Sequence, residues 1–428
     1  MSKFISINNI KDLQVFSYLC KQIFIILSIQ FMKHFFFFLL AGCFYVSGFA
    51  QNNTAKADTF QFTTVKALPI TAVKNQASSG TCWAFSGIGF IESELLRMGK
   101  GDYDLSEMFV VSKNYSEKAQ KFVRMHGATN FGPGGSFADV LDCIKDYGIV
   151  PDQAQTGLNY GDTLHRHGEL DQLLKAYVDV IIKDPNRKLS TAWFNGFNGI
   201  LNAYLGECPE TFTYNGKQYT PQSFVKFLGI NPDDYVSITS FTHHPFYTAF
   251  PIEIPDNWRW AYSYNVPMNE LVQIIDNSID KGYTVAWASD VSERGFSRKG
   301  VAVVPDAKAT EGPGSDQARW LGLTPAERES RINSLSGPVP EKTITQEMRQ
   351  EGFNDYETTD DHGMLIYGIA QDQNGTRYYM IKNSWGVENP YKGTWYISLP
   401  FVQYKTLSIV VNKNVLSKEL KEKLKINN

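Results

Sequence analysis

The sequence predicts an α+β fold, and three observations predict it. Ala84, Ile88, Ile91, Leu95 and Met98 recur at helical spacing from Cys82 onward, and Gly99 supplies a stop. A second stripe over residues 136–147, made of Phe137, Val140, Leu141, Ile144 and Tyr147, ends at Gly148. Toward the end of the chain, residues 362–370 and 376–382 read as strands flanking Asp372-Gln373-Asn374-Gly375, a strong hairpin turn.

Between these elements the chain is less regular. Residues 51–67 read as a polar, extended arm. Residues 158–260 read as a long, aromatic, loop-rich stretch. Residues 268–281 form a helix candidate with Leu271, Ile274, Ile275 and Ile279 apolar, and residues 283–289 a buried strand. Residues 305–345, rich in Pro, Gly, Ser and charge, read as a surface excursion. The expected organisation is an upstream extension and leader over residues 1–50, then one domain over 51–428 with a large insertion at about 158–355.

Composition narrows the class. The 428 residues are 43% hydrophobic and 14% aromatic, enough to fill one large domain or two packed subdomains. A formal net charge of −3, with no basic block beyond a few residues, argues against a nucleic-acid or membrane-surface partner. Lys418, Lys421, Lys423 and Lys425 read as a solvated helix face. Met32-Lys33-His34, the apolar run from Phe35 and the small residues before Gln51 describe a secretory signal with cleavage after Ala50. Lipid attachment at Cys43 and a retained anchor are the alternatives. Export, to the periplasm or outside the cell, is the expectation. Without Cys20 and Cys43, three cysteines remain, and an odd number implies at least one free thiol.

Counting outward from the hairpin turn places chemistry-bearing residues together. If residues 372–375 form the loop, Gln371 pairs with Thr376, His362 falls opposite Trp385 and Asn383 opposite Met364. His362 and Asn383 are then about two ladder positions apart, within side-chain reach. An amide accepting from the imidazole N–H fixes its tautomer and aims the other nitrogen outward. Cys82 opens a helix after the turn Ser78-Ser79-Gly80, where partial positive charge favours a thiolate. A neighbouring imidazolium lowers a thiol further, so an ion-pair nucleophile is expected at neutral pH. Gln76, six residues upstream, can reach back toward an oxyanion.

These residues carry a resemblance. Gln76-Ala77-Ser78-Ser79-Gly80-Thr81-Cys82-Trp83-Ala84-Phe85-Ser86 resembles the active-site stretch of papain-like cysteine peptidases. Leu105-Ser106-Glu107, Gly134-Gly135, Asp361-His362-Gly363, Asn383-Ser384-Trp385-Gly386 and Gly393-Thr394-Trp395 follow in that family's order. The resemblance implies a two-subdomain papain-like fold, a helical side facing a twisted antiparallel sheet or barrel, and peptide substrates without a cofactor. It implies Cys82 as nucleophile, His362 as proton carrier, Asn383 as its orienting partner, and Gln76 with the Cys82 N–H as oxyanion hole. Trp385 would shield the His–Asn bond, and the Gly134-Gly135 backbone would pair with substrate.

Cys82 and His362 stand 280 residues apart, against roughly 130–150 in the compact papain type. The disulfide beside the nucleophile is missing, with Ser79 and Gly132 where its cysteines would be. Both features, with Thr242-His243-His244-Pro245-Phe246-Tyr247, resemble the bleomycin hydrolase/aminopeptidase C branch. That branch implies aminopeptidase action through a C-terminal arm in the cleft. Residues 401–424 resemble the start of that arm, but the sequence stops at Asn428, so endopeptidase action stays open. A non-catalytic peptide-binding protein on the same scaffold and another thiol acyl transferase are the competing classes. His165/His167 and His243/His244 have no Cys or acidic residue at ligand spacing, so no metal site is expected.

Overall fold

The structure, a computed structural model, describes residues 59–183, 187–292, 295–306, 330 and 334–426. The expected leader, residues 51–58 and most of the 305–345 excursion lie outside these residues.

After strand β1 (Thr63–Ala67) the chain turns helical, with α1 (Cys82–Arg97), α2 (Glu107–Arg124) and α3 (Phe137–Tyr147). The helices begin where polar side chains satisfy free N–H groups. Ser106 Oγ accepts from Phe109 N–H at 3.0 Å, and Asp139 closes a capping box with the Ser136 N–H at 2.6 Å. Residues 158–260 are not the loop-rich stretch expected. They contain α4 (Gly168–Ile182), α5 (Trp193–Leu205), the hairpin β2 (Phe212–Tyr214) and β3 (Lys217–Tyr219), and α6 (Pro221–Leu228). Strands β4 (Tyr235–Thr239), β5 (Ala249–Pro251) and β6 (Tyr262–Asn265) follow. Leu170, Leu174 and Val178, then Phe197, Leu201 and Leu205, make buried helical stripes. Aromatic and glycine residues interleave the second stripe, and exposed apolar residues such as Leu173 and Val180 blur the first.

The remaining elements are α7 (Met268–Asp280), β7 (Val285–Ser289), β8 (Phe296–Ser297), β9 (Val301–Ala302), α8 (Gln346–Asn354), β10 (His362–Gln371) and β11 (Arg377–Lys382). The chain continues through β12 (Thr394–Ser398), α9 (Leu399–Lys405), β13 (Thr406–Asn412) and α10 (Lys418–Leu424). One sheet runs β5-β6-β4-β13-β7-β10-β11-β12-β9-β8, and β1 pairs with β10 beyond the reach of β7. The sheet is open and mixed, with parallel pairs β4–β6 and β9–β12, so the barrel alternative does not form.

The hairpin register is recovered by two compensating departures. Gln371 pairs with Arg377, not Thr376, because Asp372 Oδ1 accepts from the N–H groups of Asn374 and Thr376 (2.8 and 2.9 Å) and lengthens the loop. A bulge at Tyr367 then removes the one-residue shift, so Leu365 pairs with Lys382 and Asn383 follows beside Met364. Without the bulge, every side chain beyond it would face the other way.

Two cores meet along this strand. Ile88, Phe109, Val140, Leu174 and Leu201 fill the helical side, joined by Leu365, Ala286 and Val410 from the sheet. Met364, Ile366, Trp287, Tyr379 and Ile397 fill the other side of the sheet. Contact is closest at Gly363, where a built Cβ would stand 2.6 Å from Ser86 Oγ and 3.3 Å from Trp83 Cα. Gly363→Ala is therefore expected to destabilise the protein by about 1–3 kcal/mol through overpacking, read as a lower urea midpoint. An unchanged midpoint would mean that helix and strand have room to spare.

Candidate active site

Cys82 is the first residue of α1 and keeps part of its surface open. His362 opens β10 and is buried, as is Asn383 just beyond β11. His362 Nε2 lies 2.7 Å from Asn383 Oδ1. Asn383 Oδ1 also accepts from the Ser384 N–H at 2.7 Å, which fixes the amide with its oxygen toward the ring. The Gly363 and Trp83 N–H groups favour the Cys82 thiolate, and the first turn of α1 packs directly on Gly363, the residue following His362. The Trp385 ring lies over His362, centroids 4.6 Å apart, and is itself packed by Phe296 and Trp395.

Gln76 is held from both ends. Its Oε1 accepts from Ser384 Oγ at 2.6 Å, and its Nε2 donates to the Ser79 carbonyl at 2.8 Å. An amide nitrogen has two N–H groups, so one is left for a further acceptor. Ser384 thus links the segment before Cys82 to the segment carrying Asn383.

The Gly134-Gly135 loop is held by side chains where the resemblance puts a disulfide in compact relatives. Trp83 Nε1 and the Tyr115 hydroxyl donate to the Pro133 carbonyl at 3.0 and 3.2 Å. Lys118 Nζ, buried under the loop, donates to the carbonyls of Gly132 (3.0 Å) and Gly134. Asp256 stands against Gly134 so closely that a built Cβ there would lie 1.8 Å from its Oδ2, and Asn130 Nδ2 donates to the same carboxylate at 3.1 Å.

Burial pushes the Cys82 thiol up to about 12; the Gly363 N–H pulls it down, and negative charge on Asp360 and Asp256 adds to the rise. Desolvation pushes His362 down to about 4, against the Asn383 hydrogen bond and the charge of Asp361. Asp360 rises to about 8, through burial first and then repulsion from Asp256 and Asp361. Neither Cys82 nor His362 by itself favours its charged form in this cleft. The ion pair expected from sequence therefore requires that the two charges form together.

Sequence reasoning missed Asp256, Asp360 and Lys118. Nothing local marks the two carboxylates. Lys118 did carry a signal, because it falls on the buried face of α2 with Tyr115 and Phe122. Asp361 has two contacts, accepting from the Val291 N–H at 3.2 Å and Thr359 Oγ1 at 2.8 Å, besides raising His362. The histidine pairs differ. His165 and His167 contact one another, and the ring nitrogens of His167 have no hydrogen-bond partner among the described residues. His243 and His244 both meet Glu253, an acidic partner that linear spacing concealed.

A thiol at a helix start, packed against central strands whose ends carry an imidazole and an amide, is the arrangement of a papain-like cysteine peptidase. The chain belongs to the Peptidase C1-like family, which it matches over residues 42–306 and 343–428. It is similar to Aminopeptidase G of Lactobacillus delbrueckii subsp. lactis, 24% identical over 403 residues, which covers 83% of this chain and 84% of that one. It is also similar to Aminopeptidase C of Listeria monocytogenes, 23% identical over 390 residues, covering 82% of each. The crystal structure of PepW from Lactobacillus rhamnosis shares the fold, with a TM-score of 0.64 at 21% identity over 85% of this chain and 84% of that one. The protein is a cysteine-type peptidase, and peptides are its substrates.

Because burial alone pushes the Cys82 thiol up, its reactivity is expected to depend on His362. Alkylation by iodoacetamide at pH 7 should slow by about tenfold or more in His362→Ala. Equal rates would show a thiolate that needs no imidazole.

Proposed function

We propose that this peptidase removes residues from free N-termini, with Cys82 as nucleophile, His362 as proton carrier, Asn383 as its positioning residue and Gln76 as oxyanion donor. The Cys82 sulfur attacks the scissile carbonyl carbon as its proton passes to His362 Nδ1. The charge that develops on the carbonyl oxygen meets the Cys82 backbone N–H and the free N–H of Gln76. The C–N bond breaks as His362 protonates the leaving amine. Water, deprotonated by His362, then releases the acyl group and restores the thiol. A cleft that disfavours each charge alone confines charge separation to the reacting steps.

Support for the exopeptidase reading comes from two carboxylates, Asp256 against Gly134 and Asp360 two residues before His362, whose charge is felt at Cys82. Asp256 and Asp360 repel one another, and both push the thiol up. A cation between them is stabilised by both, and the α-ammonium of a peptide's first residue is a cation held close to its scissile carbonyl. Asp256 also stands on Gly134, in the stretch expected to pair with an extended substrate. The names Aminopeptidase G and Aminopeptidase C of the relatives support the same reading. The last described residues do not supply the counter-charge, since Leu420, Leu424 and Ile426 pack into the core on the sheet side. The basic start, apolar run and small residues over 32–50 support action outside the cytoplasm.

Peptides with free N-termini are expected to show kcat/KM about tenfold or more above their N-acetylated forms. Asp256→Asn and Asp360→Asn should shrink that ratio, and Cys82→Ala should abolish both reactions. Equal cleavage of acetylated peptides would replace the exopeptidase reading with an endopeptidase. Activity surviving in Cys82→Ala would remove the mechanism.

The pH dependence has a definite sign. Asp360 holds its proton up to about 8 and must lose it to pair with an ammonium. KM for free-N-terminus substrates should therefore fall as pH rises from about 6.5 to 8, above which the α-amino group itself deprotonates. A KM that is flat across that range would exclude Asp360 from the subsite.

A further inference from the structure

The connection between β4 and β5 carries His243 and His244, neighbours in sequence whose rings converge on one carboxylate. His243 Nε2 lies 3.0 Å from Glu253 Oε2, and His244 Nε2 lies 2.8 Å from Glu253 Oε1. One ligand atom from each of the three residues falls within 4.8 Å of the others. Among the described residues, no lysine or arginine pairs with Glu253.

We propose that His243, His244 and Glu253 form a binding site for a divalent transition cation of the zinc type, with water completing its coordination. Two imidazoles and a carboxylate are a donor set that zinc accepts. In a tetrahedral site with bonds of about 2.0–2.2 Å, donors stand roughly 3.4 Å apart. The two imidazole–carboxylate separations, 3.0 and 2.8 Å, would open by a few tenths of an ångström, and the three ligand atoms, all within 4.8 Å of one another, would draw in around the ion. Both Nε2 atoms must present lone pairs, so each ring proton must move to Nδ1. At His243, Nδ1 lies 3.3 Å from Gln350 Oε1 and 3.1 Å from Gln350 Nε2, so this side chain can serve either tautomer.

The rings are held before any metal arrives. His243 stacks on Phe353 with centroids 5.6 Å apart, and His244 stacks on Phe250 at 4.0 Å. Asn265 Nδ2 donates to the carbonyls of Phe241 (2.7 Å) and His244 (3.0 Å), which sets the loop backbone. Gln350 and Phe353 lie on α8, and Arg349 in the same helix is buried, donating to the Ser240 carbonyl at 2.7 Å and the Gln403 carbonyl at 2.9 Å. The site therefore joins the β4–β5 connection to a rigid helix, and a bound cation would fasten one to the other.

Zinc titration of the metal-stripped full chain tests this, with Cys82→Ala as background so that the active-site thiol cannot take the metal. One zinc per chain is expected at micromolar affinity or tighter, with a Tm rise of several degrees at saturation. His243→Ala and Glu253→Gln, with unchanged circular dichroism, should each weaken binding by about tenfold or more. Glu253→Gln keeps the side-chain shape should His243→Ala fail to fold. Cobalt(II) in place of zinc should give no thiolate charge-transfer band, which separates this site from Cys143 and Cys208. Binding weaker than about 100 μM, or binding undiminished in both variants, would overturn the assignment.

Discussion

The chemistry of this protein depends on one steric condition, the direct seating of the first turn of α1 on β10 at Gly363. No side chain separates them there, so the start of α1 lies directly against the residue that follows His362. The helix cannot pivot, because nearly every residue from Trp83 to Leu95 is buried. Its polar residues are tied down as well. Glu92 accepts from Thr71 Oγ1 at 2.6 Å, Lys74 Nζ at 3.3 Å and the Leu105 N–H at 3.0 Å, and Lys382 of β11 donates to the same Thr71 hydroxyl. The strand pair carrying His362 and Asn383 is thereby joined to the helix carrying Cys82 by packing at one point and a buried polar network at another.

That seating buries the groups around it, and burial governs their electrostatics. Burial opposes a thiolate at Cys82, an imidazolium at His362 and a carboxylate at Asp360, all in one small space. Each of the three groups is thus pushed toward its neutral form, and a charge on one alters the balance for the others. Lys118 is the counterweight on the helical side. It is spent on the carbonyls of Gly132 and Gly134, and burial holds it below the usual lysine range.

The Cys82, His362 and Asn383 positions were legible because local patterns mark them: a helical stripe, two strands and a turn of known chemistry. The hairpin count reached the correct neighbour for Asn383 although its turn was one residue short, because the bulge at Tyr367 repaid the difference. A bulge inside a continuous apolar strand leaves no mark in the pattern of hydrophobicity. The helices of residues 168–205 were missed for a related reason. Their buried stripes are three residues each, and exposed apolar residues in one and aromatics in the other blur a period that only packing makes decisive.

Sequence by itself determined which segments are helix and strand around Cys82, His362 and Asn383, and which residues open them, since periodicity and capping act over a few residues. It also determined that a thiol, an imidazole and an amide would be available. Only the tertiary structure decided what surrounds them. Asp256 reaches Gly134, Glu253 reaches His243 and His244, and Lys118 reaches the cleft loop through contacts between distant segments. Such contacts are set by how elements pack and by which charges the interior tolerates, and neither is written in the spacing along one chain.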